Sequence, residues 1–183
     1  MTQTLRKDIP QEQTWNLTTL FKTREDWQQE LEAIKEDVTS ATSFKGKLGA
    51  SAETLYNALI TFEKFYERIY KVRTYALLRT SVDGTNEEYQ ADIAVTANLI
   101  ANISAQLAFF KPELLTISEE KIKLFITENK NLKNYEKVLH DIIEEKPHTL
   151  APEMEQLLAQ LSEVHDAPYM IYERSKQADM EFQ

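Results

Sequence analysis

Residues 51–110 read SAETLYNALI TFEKFYERIY KVRTYALLRT SVDGTNEEYQ ADIAVTANLI ANISAQLAFF, and this stretch decides the fold. From Ser51 to Ser81 no Gly or Pro intervenes, and Leu55, Leu59, Phe62, Tyr66, Ile69, Val72 and Ala76 recur at steps of three and four, the spacing of one helix face. At 1.5 Å per residue such a helix is about 46 Å long. Asp83-Gly84 marks a turn, and Thr85 with Glu88 has the form of a capping box that opens a second helix. That helix runs to about Phe110, with Tyr89, Ile93, Ile100, Ile103, Leu107 and Phe110 on its face. A connection this short forces an antiparallel helical hairpin, about 51–81 and 86–110. The expected class is all-α. A compact body of this size has a radius of gyration of roughly 16 Å, so the hairpin predicts an elongated multi-helix lobe or a bend.

The second arm carries Ala94, Ala97, Ala101, Ala105 and Ala108 in one row. Small side chains let a neighbouring helix approach closely, so this arm is expected to be the central helix. Ile93 to Phe110 has no charged residue over 18 positions, near the minimum for a bilayer span. Thr96, Asn98, Asn102, Ser104 and Gln106 interrupt it, and polar groups are costly to leave unpaired in hydrocarbon. No membrane role is expected. Lys111-Pro112 is expected to stop or kink the arm, since Pro lacks an amide donor.

Upstream, residues 1–50 read as a strap, a first helix and a loop. Trp15-Asn16-Leu17-Thr18-Thr19-Leu20-Phe21 is apolar enough to dock; Thr23 with Asp26 forms a capping box; Trp27, Leu31, Ile34 and Val38 follow at helical spacing. Gly46 and Gly49 mark the loop. Downstream, residues 112–183 read as shorter helices punctuated by Pro147, Pro152 and Pro168. Ser118 opens one that carries Ile122, Phe125 and Ile126; Asn129 to Asn131 breaks it; Leu139 and Ile142 belong to the next; Leu157, Leu158 and Leu161 give another its apolar face. Pro168 suits the first turn of the last. Apolar residues arrive at Met180 and Phe182 where a domain should be ending, which predicts a chain cut from a longer polypeptide.

Composition removes several classes of function. The net charge of −9 makes a nucleic-acid partner unfavourable. Three glycines in 183 residues leave no phosphate loop or nucleotide fingerprint to assemble. Without cysteine there are no disulfides, thiolate zinc sites or Cys nucleophile, in keeping with a reducing compartment. The basic pair Arg6-Lys7 is followed by Asp8 and Pro10 rather than an apolar stretch, so no secretion signal is read and the Asn16 and Asn102 sequons stay bland. His140, His148 and His165 do not fall in HExxH, the spacing that sets two imidazoles around zinc. His140 and Glu144 supply at most two ligands, and His148 is expected to act as a structural cap. No catalytic, cofactor-binding or metal residue is assigned. The set Tyr56, Phe62, Phe65, Tyr66, Tyr70 and Tyr75, interleaved with Arg68, Arg73 and Arg79, is too wide for one buried stripe. Core packing plus a wet face accounts for most of it; the other reading has some of these groups lining a channel wall that suits peptides and their carboxylates.

Several phrases together resemble the N-terminal region of the oligoendopeptidase F family, zinc metallopeptidases related to thimet oligopeptidase. The opening Trp15–Phe21 is similar to that family's W-[DN]-L-[ST]-x-[LI]-[FY], and Lys45-Gly46-Lys47-Leu48 resembles its short basic loop. Tyr75-Ala76 with Asp83 and Asn86 resembles its helix-turn-helix joint, and Phe110-Lys111-Pro112-Glu113-Leu114-Leu115 its P-E-[IL]-L junction. His148-Thr149-Leu150-Ala151 and Asp179-Met180-Glu181-Phe182 resemble its H-x-L-[SA] and D-[ML]-x-F segments. The resemblance implies a cytoplasmic enzyme that cleaves short peptides internally, with zinc on an HExxH helix of a downstream catalytic domain. Residues 1–183 would then be a non-catalytic lobe over the substrate channel, inactive alone, its partners the catalytic domain of the same polypeptide and short peptide substrates. The alternative is a stand-alone helical adapter that binds peptides or partner helices.

Overall fold

A computed structural model describes residues 9–148, 154, 157–158 and 161–176. The chain divides into two compact units, one ending at Ile143 and one running on from Glu144. Among the described residues every regular element is helical.

The first unit is built on α1 (Arg24–Thr42), α2 (Ala52–Val82) and α3 (Glu87–Leu107). The Thr23 hydroxyl accepts from Asp26 N, and the Asp26 carboxylate accepts from Thr23 N, completing the expected capping box. Trp27, Leu31, Ile34 and Val38 are buried as their spacing requires. Trp27 also donates its indole N–H to the Val72 carbonyl at 3.0 Å, fixing α1 on α2. Ser51 caps α2, a single helix of 31 residues.

The turn differs from the sequence expectation. Thr85 does not cap α3, because both its amide and its hydroxyl are taken by Asp83 Oδ1, at 3.0 and 2.7 Å. Asn86 caps instead, accepting from Glu88 and Tyr89 N. The buried row of α3 is Asp92, Thr96, Leu99, Ile103 and Leu107; Asp92 and Leu99 lie one position before the expected Ile93 and Ile100, and Thr96 was not expected on this face. Tyr89, Ile93 and Ile100 are half-buried on its edge. The alanine row is therefore a correction: Ala94, Ala97, Ala101, Ala105 and Ala108 are all exposed. The central helix is α2, which packs on α1, α3 and α5. Tyr66, placed on the α2 core face by its spacing, is also exposed.

The end of α3 is a second correction. It stops at Leu107, and α4 (Phe110–Thr116) takes Pro112 into its first turn. A proline at 112 cannot donate to the Ala108 carbonyl four residues back, so the break falls there rather than at Lys111. In α5 (Glu119–Glu128), Ser118 accepts from Lys121 N and Ile122 and Phe125 are buried. Asn129 ends it and caps a 3₁₀ turn through Tyr135, before α6 (Glu136–Glu144) buries Leu139. These elements and the loop around Leu48 form a second core against the first half of α2, and Phe110 packs against both cores.

In the second unit, Pro168 lies inside α7 (Ser162–Arg174) rather than in its first turn. Leu157, Leu158 and Leu161 are exposed, so they do not form a packed face. The Asp179–Phe182 phrase and most of residues 149–156 lie outside the described residues.

Candidate functional site

At the turn end of the hairpin the first unit buries a charge. Asp92 is 1% exposed, and an isolated carboxylate there would be very costly. Two guanidinium groups from different helices hold it. Arg24 of α1 donates through Nε, at 3.2 and 3.1 Å, and through Nη2, at 2.6 Å. Arg79 of α2 donates from Nη1 at 2.6 Å and hydrogen-bonds Glu88 through Nη2. The bond to Asp92 is the main reason the Arg24 guanidinium is held above its ordinary pKa. Arg79 also stacks over the Tyr89 ring, 4.3 Å from its centroid, and lies 5.5 Å from that of Tyr75. With Glu88 the cluster has two cations and two anions, so it is a structural clamp across three helices rather than a free anion site.

The strap closes over this clamp. Asn16 accepts from Thr18 N and Oγ1, which winds the strap into a short turn. Leu17, Leu20 and Phe21 then pack on the core, and Phe21 meets Tyr75 edge-on at 5.5 Å. Trp15 stays 65% exposed. A groove of about 1010 Å³ opens there, lined by Glu12, Trp15, Phe21, Lys22 and Tyr75 among others. A smaller one, about 180 Å³, runs from Trp15 past Arg79 to Tyr89.

Two family-like phrases meet at the other core. The Glu113 carboxylate accepts from Gly46 N at 2.7 Å and Leu48 N at 2.8 Å. Gly46 has φ +77°, the left-handed region where glycine carries no Cβ penalty. Glu113 thus shapes the Lys45–Leu48 loop and seats Leu48, which is fully buried.

The aromatic set resolves as mixed. Phe62, Phe65 and Tyr75 are buried, and Tyr56 is half-buried; Tyr66 and Tyr70 are 41% and 60% exposed. Arg68 donates to Glu30 and Asp37, at 2.5 and 2.6 Å; Arg79 is in the clamp; Arg73 is exposed and forms no ion pair with a described residue. His140, His148 and His165 are all exposed. His140 and Glu144 stand one turn apart on α6, and with Asp141 bring ligand-type atoms within 4.8 Å; Asp141 is already bonded to Lys137. All three residues are exposed, whereas a catalytic zinc site is held in a supporting shell. Among the described residues the His148 imidazole makes no capping bond. It is the backbone amide of His148 that bonds, to the Glu145 carbonyl at 2.8 Å.

The fold and these seams define an all-helical lobe, and the comparisons narrow it. A family model described as Oligopeptidase F matches residues 113–182. Oligopeptidase PepF of Bacillus subtilis is 36% identical over 97% of this chain and 26% of its own length. Group B oligopeptidase PepB of Streptococcus agalactiae is 33% identical over 97% of this chain and 30% of its own. The crystal structure of oligoendopeptidase-F from Enterococcus faecium superposes with a TM-score of 0.73, at 26% identity, over 88% of this chain and 32% of that one. The chain belongs to the oligoendopeptidase F family, as its N-terminal region. It spans less than a third of the length of each of these relatives.

The sequence reading missed the clamp. Asp92 between Ala91 and Ile93 had one available signal: it is the last charge before the 18 uncharged positions. Its partners lie 68 and 13 residues away, beyond any local pattern.

Proposed function

We propose that these residues are the non-catalytic N-terminal lobe of a cytoplasmic zinc metallo-oligopeptidase that hydrolyses internal bonds of short peptides, and that the lobe covers the substrate channel. The observation that carries this reading is the match to named oligopeptidases along 97% of the chain. The bond between Glu113 and the Lys45–Leu48 loop supports it, since it joins two phrases picked out separately for their family likeness.

The residues present do not fit the zinc of such enzymes. A catalytic zinc takes three protein ligands around an open position, whereas the three histidines here are exposed and separated along the chain. The metal and the hydrolytic step are therefore assigned to the parent polypeptide, and none of the chemistry to this lobe. Its part is steric and electrostatic: a rigid bundle held by the Asp92 clamp, which excludes folded proteins and admits flexible peptides.

Within Glu87–Thr116 an 18-residue window reaches a mean hydropathy of 1.5, long and apolar enough to cross a membrane by length and composition. A membrane-free lobe is still the better reading, because α3 packs on α1 and α2 and buries a charged Asp92.

The test is made on the parent polypeptide. It should cleave a fluorogenic oligopeptide in a chelator-sensitive way, while the 183-residue chain alone shows no turnover and retains no stoichiometric zinc by elemental analysis. Tight zinc on this chain, or a parent without metal-dependent cleavage, would refute the reading.

A further inference from the structure

One row along α2 is left unexplained by the clamp and the cores. Phe62, Tyr66, Tyr70, Arg73, Leu77 and Thr80 follow each other at steps of three and four, so they lie along one line of the helix. Both ends of the line touch α3 and its extension. Phe62 packs on Phe109, ring centroids 6.2 Å apart, and Thr80 donates to the Tyr89 carbonyl at 3.2 Å. The middle of the row therefore runs along the seam between the antiparallel arms.

Along this seam the apolar side chains are out in solvent: Tyr66 is 41% exposed, Tyr70 60% and Leu77 50%, with Ala97 also exposed. From Ile93 to Phe110 the facing arm has no charge of either sign. Arg73 is thus a cation with no ion-pair partner among the described residues, on an otherwise uncharged, aromatic strip, in a chain whose net charge is −9. The other α2 arginines, Arg68 and Arg79, are both committed to carboxylates. A guanidinium left unpaired beside rings and aliphatic groups is matched by a ligand with one carboxylate next to apolar side chains. Large polyanions are disfavoured by the surrounding negative charge.

We propose that the Tyr66–Leu77 strip binds the C-terminal carboxylate end of a short apolar peptide, with Arg73 taking the carboxylate and Tyr70 and Leu77 the last side chains. This deepens the peptidase reading and rests on it only for the choice of a short peptide.

The test uses the full 183-residue chain and two probes, acetyl-Ala-Leu-Phe-Leu as the free acid and as its carboxamide, in an NMR titration. The free acid should shift signals of Tyr66–Leu77 and Ile93–Ala101 and bind about fivefold more tightly than the amide, the scale of a solvent-exposed ion pair. Arg73→Gln should erase that preference, and Arg73→Lys should keep part of it. Tyr70→Ala should weaken both probes, whereas Lys64→Gln, exposed elsewhere on α2, should change neither. Equal affinity for acid and amide, a preference that survives Arg73→Gln, or shifts confined to the Trp15 groove would overturn the assignment. So would self-association abolished by Tyr70→Ala, since a second copy would then be the occupant. A parent polypeptide without peptidase activity would refute the proposed function but leave this binding result standing. Loss of the acid preference would refute the strip and leave the peptidase reading intact.

Discussion

The bundle around α2 and the segment after Glu144 are both rich in apolar side chains, yet they treat them in opposite ways. In the bundle, Ile34, Leu55, Val72 and Ala76 are fully removed from water, and even a carboxylate is buried behind two arginines. In α7, Val164, Tyr169, Met170, Ile171 and Tyr172 are all more than half exposed. Helical spacing is present in both, so periodicity does not separate them. What separates them is burial: α2 receives helices along most of its length, whereas the described apolar groups of α7 are exposed.

The contrast can be broken most strongly at the clamp. Asp92→Ala leaves two guanidinium groups with only the more exposed Glu88 carboxylate to share, and about 3 kcal/mol of stability should be lost, measured by urea unfolding. A loss below about 1 kcal/mol would mean that the arginines relax into water and the clamp is dispensable. A matched pair comes next. Leu99→Ala in α3 should cost about 3 kcal/mol through its cavity, whereas Ile171→Ala in α7 should stay within about 0.5 kcal/mol. Equal costs would erase the distinction between the two regions. Glu113→Ala should cost about 1 kcal/mol by freeing the Gly46 and Leu48 amides, and should speed hydrogen exchange at those two positions.

The smallest effect is in the pH dependence. Tyr135 hydrogen-bonds Glu63, and burial together with that carboxylate pushes its phenol up to about 12. A raised phenol pKa favours the neutral form in the folded chain, so its contribution is complete below about pH 10 and is lost between about 10 and 12. Ultraviolet titration should find a late tyrosine that Glu63→Gln brings down. If that variant leaves the titration unchanged, the hydrogen bond is not what holds the proton.

Much of the fold was legible because its signals are local. A cap needs only a hydroxyl and an amide three residues on, so Thr23 and Ser118 were read directly from spacing. The Thr85–Glu88 box failed for an equally local reason: Asp83, two residues before Thr85, captures its amide and hydroxyl first. The candidate site was less legible. The interleaved Tyr and Arg residues of α2 were visible as a set, but nothing in the string separates Arg79, enclosed by Asp92 and Glu88, from Arg73, which makes no ion pair with a described residue.

The amino-acid sequence by itself determined the helical class, the hairpin, most of the helix starts and the family likeness, since propensity, capping and short motifs act over a few residues. Tertiary structure decided which side of each helix is inside. The alanine row of α3 and the Asp92 row are equally regular, and burial fell to the second because Arg24 and Arg79 arrive from two other helices to neutralise it. Periodicity defines a face, but only the neighbours that pack on it determine whether that face meets protein or water.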